Sequence, residues 1–234
     1  MVSVEERAGT RAPRRVSSIQ LKLVMAASGA IMFLFLVVHM AGNLKIFFGA
    51  ESIDAYSAWL REVGEPAVPA QTILWVTRIV LLAAVVGHIV SATILTRRAH
   101  QGRPVKYEHR KPVNGSYAAR TMRWGGVIIA LFIVYHILDL TTGTLNPHGE
   151  HGEVHANIVA DFAPSRWYVT LFYVLAVVAV GFHLRHGLWS AFQSFGRSSA
   201  RTQATLKGIA LVISVLLTVG FLSVPFAVLT GLVS

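Results

Sequence analysis

The sequence predicts an all-α membrane protein of five transmembrane helices in an antiparallel bundle, and three observations carry that reading. The chain has 234 residues, of which 54% are hydrophobic and only 14% charged, whereas soluble domains carry about 25% charged residues. Its apolar residues gather into five runs, each longer than the roughly 20 residues needed to cross a bilayer core. Its bases and acids lie between those runs and alternate in sign from one connection to the next.

The runs cover residues 21–47, 72–96, 122–144, 167–195 and 206–232. The first follows Arg7, Arg11, Arg14 and Arg15 and lacks a small-residue cleavage site behind a short apolar core, so it is read as a retained helix. Residues 1–16 form a basic cytoplasmic tail, and residues 17–234 the membrane domain. The second connection carries Arg97, Arg98, Arg103, Lys106, Arg110 and Lys111 against Glu108, and the fourth carries Arg197 and Arg201 with no acid. Basic loops stay in the cytoplasm. The first and third connections hold Glu51, Asp54, Glu62, Glu65, Glu150, Glu153 and Asp161, which places them outside, with the N-terminus inside and the C-terminus outside. Trp59, Trp75, Trp124, Trp167 and Trp189 fall near run ends, where interfacial aromatics belong.

The composition also narrows the chemistry. With no cysteine, the chain by itself forms no disulfide and supplies no thiolate for an iron–sulfur cluster or zinc. The net charge of +10 comes from bases flanking apolar runs rather than from one basic face, so nucleic acid is not the partner.

Each of the first four runs contains one histidine well inside it: His39, His88, His136 and His183. Measured inward from the outer run ends at about 1.5 Å per residue, they lie roughly 9, 25, 12 and 24 Å deep in that order. His39 and His136 therefore share an outer level, and His88 and His183 an inner one. Two imidazoles at one depth on facing helices supply the two axial ligands of an iron porphyrin, so the pattern points to two haems b stacked in the bundle. Four histidines split between two depths do not converge on one non-haem ion. Hydrogen-bonded packing histidines and a proton relay are the competing readings. Gly29, Gly42, Gly87, Gly181 and Gly187 give room either for a macrocycle or for close helix packing.

At these residues the chain resembles a known family. The stretch from His39 through Gly42 and Lys45 to Gly49, followed by Asp54-Ala-Tyr56, the segment from His136 through Asp139 to Gly143, and Phe182-His183-Leu-Arg-His186-Gly187 are similar to the cytochrome b membrane anchor of succinate dehydrogenase. The likeness is to the b558-type, single-subunit, two-haem anchors of succinate:menaquinone oxidoreductases, actinobacterial ones in particular. It implies that His39 and His136 hold the outer haem iron and His88 and His183 the inner one. It further implies a non-flavin subunit of respiratory complex II, in the tricarboxylic acid cycle, that passes electrons from an iron–sulfur subunit to a membrane quinone of the menaquinone type. The implied partners are a flavoprotein carrying FAD and an iron–sulfur subunit, docked on the cytoplasmic face of a bacterial inner membrane. A haem b anchor of another dehydrogenase, such as a hydrogenase or formate dehydrogenase, and a haem-free proton channel or transporter are the alternatives.

Other polar residues near the levels have two readings each. Arg78, about 10 Å below the outer end by helical rise, pairs with a haem propionate or Asp139, or else snorkels. Asp139, three residues after His136, orients a ligand, pairs with Arg78 or carries protons, or else makes local hydrogen bonds. His186, one turn from His183, bonds a propionate or quinone or is a packing residue. Arg120 and Arg123 are inner-propionate candidates or helix-end anchors. Glu62, beside Val-Gly-Glu-Pro66, is a candidate for proton exchange with quinone or a solvated acid. Ser17, Ser18 and Lys22 are inner quinone candidates, against a helix cap and a snorkelling lysine. His148, His151 and His155 match no strong metal motif.

The charge asymmetry generates the first prediction. Cysteines introduced as Ser116→Cys and Ser199→Cys are labelled by a membrane-impermeant thiol reagent only from the cytoplasmic side, and Ser52→Cys only from outside. The reverse pattern inverts the two histidine levels.

Overall fold

The computed structural model describes residues 16–102, 117–194 and 199–234. Most of the basic tail, and Arg103, Lys106, Arg110, Lys111 and Arg197, lie outside these residues, as does the side chain of Arg120. Among the described residues the structure is helical without strands: α1 (Ser18–Asn43), α2 (Ala50–Glu62), α3 (Thr72–Gln101), α4 (Tyr117–His136), α5 (Val154–Asp161), α6 (Trp167–Ser194) and α7 (Ala200–Leu229). Five segments among the described residues are long and apolar enough to cross a membrane: Ser18–Phe48, Thr72–Gln101, Met122–Thr141, Pro164–Gln193 and Arg201–Leu229.

Local chemistry sets the helix ends. Ser17 opens α1 with a capping box: its hydroxyl accepts from the Gln20 amide at 3.2 Å, and the Gln20 side chain accepts from the Ser17 amide at 2.9 Å. This pair satisfies donors that the first turn otherwise leaves open. Ser199 opens α7 in the same way, accepting from the Thr202 amide at 3.1 Å. The sequence reading carried the third run to residue 144 as one helix, but α4 ends at His136 and continues as a π-helical turn, Ile137–Thr141. Wide turns of this kind re-aim side chains and recur at functional sites.

Around the bundle, α1 packs on α3, α4 on α6, and α6 on α7. Leu34, Val38, Leu131, Leu175 and Leu216, each at least 60% exposed, face outward along the spans. In lipid such exposure has no hydrophobic cost, and helix association rests on close packing. Gly181 shows this: a Cβ there collides with the Thr218 hydroxyl on α7.

The connected apolar core sits at the outer end, the end of the acidic connections. Ile46 and Ile53 meet Ile158, Phe162, Val169 and Tyr173, with Val224, Ala227 and Val228 of α7 closing the cluster. Two short helices, α2 and α5, build this cap where the sequence reading saw only connections. They are tied together by Asp54, whose carboxylate accepts from the His155 amide at 2.9 Å. Asp54 thus caps the first turn of α5 from another helix. Gly42 lets α2 approach α1, since a Cβ at that position lies 2.7 Å from the Tyr56 ring.

The α6–α7 contact predicts that Gly181→Val forces the two helices apart and lowers stability by about 1–3 kcal/mol. Thermal unfolding of the detergent-solubilised complex measures it, with Gly208→Val, where a Cβ meets nothing within 4 Å, as the control.

Candidate functional site

A cavity of about 2300 Å³ runs through the bundle and is lined largely by apolar side chains of α1, α3, α4, α6 and α7. His39, His88, His136 and His183 all line it. The structure pairs them as their depths predict. His39 on α1 faces His136 on α4 with ring centroids 5.8 Å apart, and His88 on α3 faces His183 on α6 at 6.1 Å. Four helices therefore contribute one imidazole each.

These pairs fit axial ligation on three counts. An iron between two imidazoles, with metal–nitrogen bonds of about 2 Å on either side, holds the ring centroids roughly 6 Å apart. Next, one ring of each pair has its Nδ1 engaged, which leaves Nε2 for a metal, while Nδ1 of His183 is buried without a partner. His88 Nδ1 lies 3.1 Å from the Met25 carbonyl oxygen, which only accepts, so Nδ1 carries the hydrogen; Ser28 Oγ is 3.3 Å away. His136 Nδ1 lies 3.5 Å from the Tyr173 hydroxyl, which is itself donating to Asp139. Outer-shell bonds of this sort fix a ligating imidazole's tautomer and orientation. Finally, space is available beside the rings: Gly29 and Gly187 line the cavity, and a Cβ at Gly187 meets nothing within 4 Å. Of the other glycines singled out in the sequence, Gly42 and Gly181 serve helix packing, and Gly87 lies near Val24.

At the outer mouth the cavity is bordered by Asn43, Arg61, Arg78 and His151. Arg78 is exposed and lies over the Trp75 ring at 4.9 Å. Arg61 donates to the Ser57 carbonyl and hydroxyl at 3.1 and 3.2 Å; the sequence reading missed it because α2 was not anticipated. Glu62, the next residue, is exposed and is not among the lining residues. His148 pairs with Glu153 at 2.8 Å, and among the described residues no group of three or more His, Asp or Glu side chains is placed to hold a metal ion.

At the inner mouth Lys22, His100 and Arg123 line the cavity, with an Arg123 guanidinium nitrogen 2.6 Å from His100 Nε2. Ser17 caps α1, and the Ser18 hydroxyl accepts from Arg98 at 3.1 Å while Arg98 also donates to the Val16 carbonyl at 2.8 Å. His186 lies edge-on to Trp189 at 5.6 Å, off the cavity lining.

Behind His136 is a polar cluster. Asp139 and Asp161 are both fully buried. The Tyr173 hydroxyl donates to Asp139 Oδ2 at 2.7 Å, and Arg166 donates to Asp161 Oδ1 at 2.9 Å. Asp139 is therefore partnered by Tyr173 and not by Arg78. The sequence reading singled out Asp139 but not Tyr173, Asp161 or Arg166, which reach it from a different helix and turn.

Among curated proteins and among solved structures, nothing matches the chain. The succinate dehydrogenase/fumarate reductase transmembrane subunit family matches residues 102–222, a segment that holds His136, Asp139, Asp161, Tyr173 and His183. Because that match spans more than half of the 234 residues, the chain belongs to the family of succinate dehydrogenase/fumarate reductase transmembrane subunits.

Proposed function

We propose that this chain is the two-haem, b558-type cytochrome b anchor of a bacterial succinate:menaquinone oxidoreductase, carrying electrons from the iron–sulfur subunit across the bundle to a membrane quinone. The carrying observation is the pair of facing imidazole pairs, at 5.8 and 6.1 Å, on one apolar cavity in a chain of this family. In this reading His39 and His136 hold the outer haem, and His88 and His183 the inner one. When bound, each haem supplies a one-electron couple at its iron.

The chain's own residues do the rest. The Met25 carbonyl and Ser28 hydroxyl fix the His88 ring, and the Tyr173 hydroxyl faces the His136 ring. Arg61 and Arg78 at the outer mouth, and Arg123 at the inner one, are the cations for propionate carboxylates, for which guanidinium geometry is suited; Arg120, three residues before Arg123 in the sequence, is a further candidate. The apolar helices keep bulk water from the cavity and so lower the local dielectric around any charge inside it. Quinone exchange on the inner side is assigned to the region of Ser17, Ser18 and Lys22, with His186 one turn beyond His183 as a further hydrogen-bonding candidate. On the outer side Glu62 is the proposed proton-exchanging acid, its exposure giving it contact with water. The flavoprotein with FAD and the iron–sulfur subunit dock on the cytoplasmic face, where the second and fourth connections carry their bases. Succinate oxidation itself takes place on those partners.

The reading predicts that His183→Ala or His88→Ala leaves about half the haem of the purified complex, measured by pyridine haemochrome, because either change removes one axial bond at the inner level only. Retention of both haems in His183→Ala overturns the ligand assignment. Glu62→Gln is expected to slow quinone-coupled turnover while haem content and succinate oxidation by a soluble dye stay normal. Normal quinone turnover removes Glu62 from the mechanism.

A further inference from the structure

The cluster behind His136 holds more acid than its hydrogen bonds account for. Asp139 and Asp161 are both 0% exposed, and Asp139 is near enough to act on the Asp161 carboxyl. Each uses one oxygen on an outside donor, Asp139 Oδ2 on Tyr173 and Asp161 Oδ1 on Arg166. The other oxygen of each, Asp139 Oδ1 and Asp161 Oδ2, is buried with no donor. Two ionised carboxylates facing one another have no hydrogen to place between them. A single proton on the pair supplies one.

Charge leads to the same result. With both acids ionised, the buried cluster carries two negative charges against the one positive charge of Arg166; with one proton shared it is neutral. An uncompensated buried charge costs several kcal/mol, so groups in such places neutralise instead. Burial pushes the Asp161 carboxyl up to about 7, with neighbouring Asp139 adding to the rise and the Arg166 guanidinium opposing it. The other groups near the pair are Tyr135 from α4 and Tyr173 from α6; His136 meets Tyr173, and Tyr168 lies beside Arg166. The α2 acid Asp54 is held on the His155 amide, and α7 presents Val224, Ala227 and Val228 to this end of the bundle.

We propose that Asp139 and Asp161 share one proton and form a buried proton-exchange site at the outer end of the bundle, linked through the Tyr173 hydroxyl to the imidazole of His136. Arg166, whose side chain is 23% exposed, marks the water side of the site. Protonation takes one proton from outside water and converts two carboxylates into a carboxyl–carboxylate pair; Tyr173 keeps its own proton, donating to Asp139 throughout. A negative charge added at the His39–His136 level favours the protonated pair, and its removal releases the proton. That coupling rests on the haem reading above, whereas the shared proton does not.

Linkage gives the sign for stability. The folded Asp161 binds its proton more tightly than the ordinary carboxylate of the unfolded chain, so the site's contribution is full below about pH 4 and is lost as the pH rises through about 7.

Infrared spectroscopy of the intact purified complex tests the site. One carboxylic-acid C=O band, shifted by deuterium exchange, is expected to disappear between about pH 6 and about pH 8 in the wild type, and to be missing already at about pH 6 in both Asp139→Asn and Asp161→Asn. Loss of the same band in either variant shows that one proton belongs to two residues. A band unchanged in both variants, or two separate bands each lost in one variant, overturns the shared proton. Arg166→Gln, which keeps both acids, guards against misfolding of the asparagine variants: the band must persist to higher pH, and an unaltered titration counts against the site. The coupling has its own readout. The outer haem's midpoint potential should fall as pH rises over the same interval, and Asp161→Asn should abolish that slope. An unaltered slope alongside the lost band refutes the link to His136 and leaves the proton site standing, while absence of haem at His136 refutes the haem reading alone.

Discussion

An imidazole at membrane depth has to find a polar partner or a metal, because hydrocarbon offers neither. Four such rings, in two facing pairs, impose the form of this molecule. The spans cannot close on one another as a packed core, since the middle of the bundle is a cavity of about 2300 Å³. Their large apolar side chains turn outward to lipid instead. The helices touch through small residues such as Gly181 against Thr218, and a buried hydroxyl such as that of Ser214 is satisfied within its own helix by the Ala210 carbonyl at 2.6 Å. Such contacts fit an environment in which apolar burial gives no driving force.

The outer cap supplies the side-chain packing that the middle lacks. Ile46, Ile53, Ile158, Phe162 and Val228 form a continuous core there, and Asp54 fastens α5 to α2 through the His155 amide. This core also buries Asp139 and Asp161, and burial is what gives their carboxyl chemistry its character. The π-helical turn after His136 belongs to the same arrangement. It ends the straight run of α4, with Asp139 against Tyr173 and Tyr173 in turn facing His136. Packing at the cap and polar chemistry at the outer histidine level are thus one construction.

Much was legible in the sequence, because a bilayer reduces fold prediction to run length and charge placement. The five spans, the two histidine levels and the pairing of His39 with His136 and of His88 with His183 all follow from helical rise along straight segments. Lateral geometry carries no comparable periodic signal. Arg61 reaches the cavity mouth only because residues 50–62 form a helix lying over it, and the connection's mixed polarity did not announce that helix. Gly42 and Tyr56 stood in the sequence as motif letters; their shared purpose is the close approach of α2 to α1.

What the sequence determined by itself is therefore the axial coordinate of the four histidines inside the spans: how deep each sits and which are at one level. Rise per residue is fixed by backbone hydrogen bonding, whatever the neighbours do. Tertiary structure alone decided the contacts across helices. It set Asp161, on a connection that looked like a solvated acidic loop, beside Asp139 with Tyr173 and Arg166 around them. Those four residues come from separate parts of the chain, and no local pattern encodes the angle at which their elements meet. The angle is settled by how α5, the turn after α4 and the start of α6 pack around Phe162 and Tyr173, a choice made by shape complementarity among distant side chains.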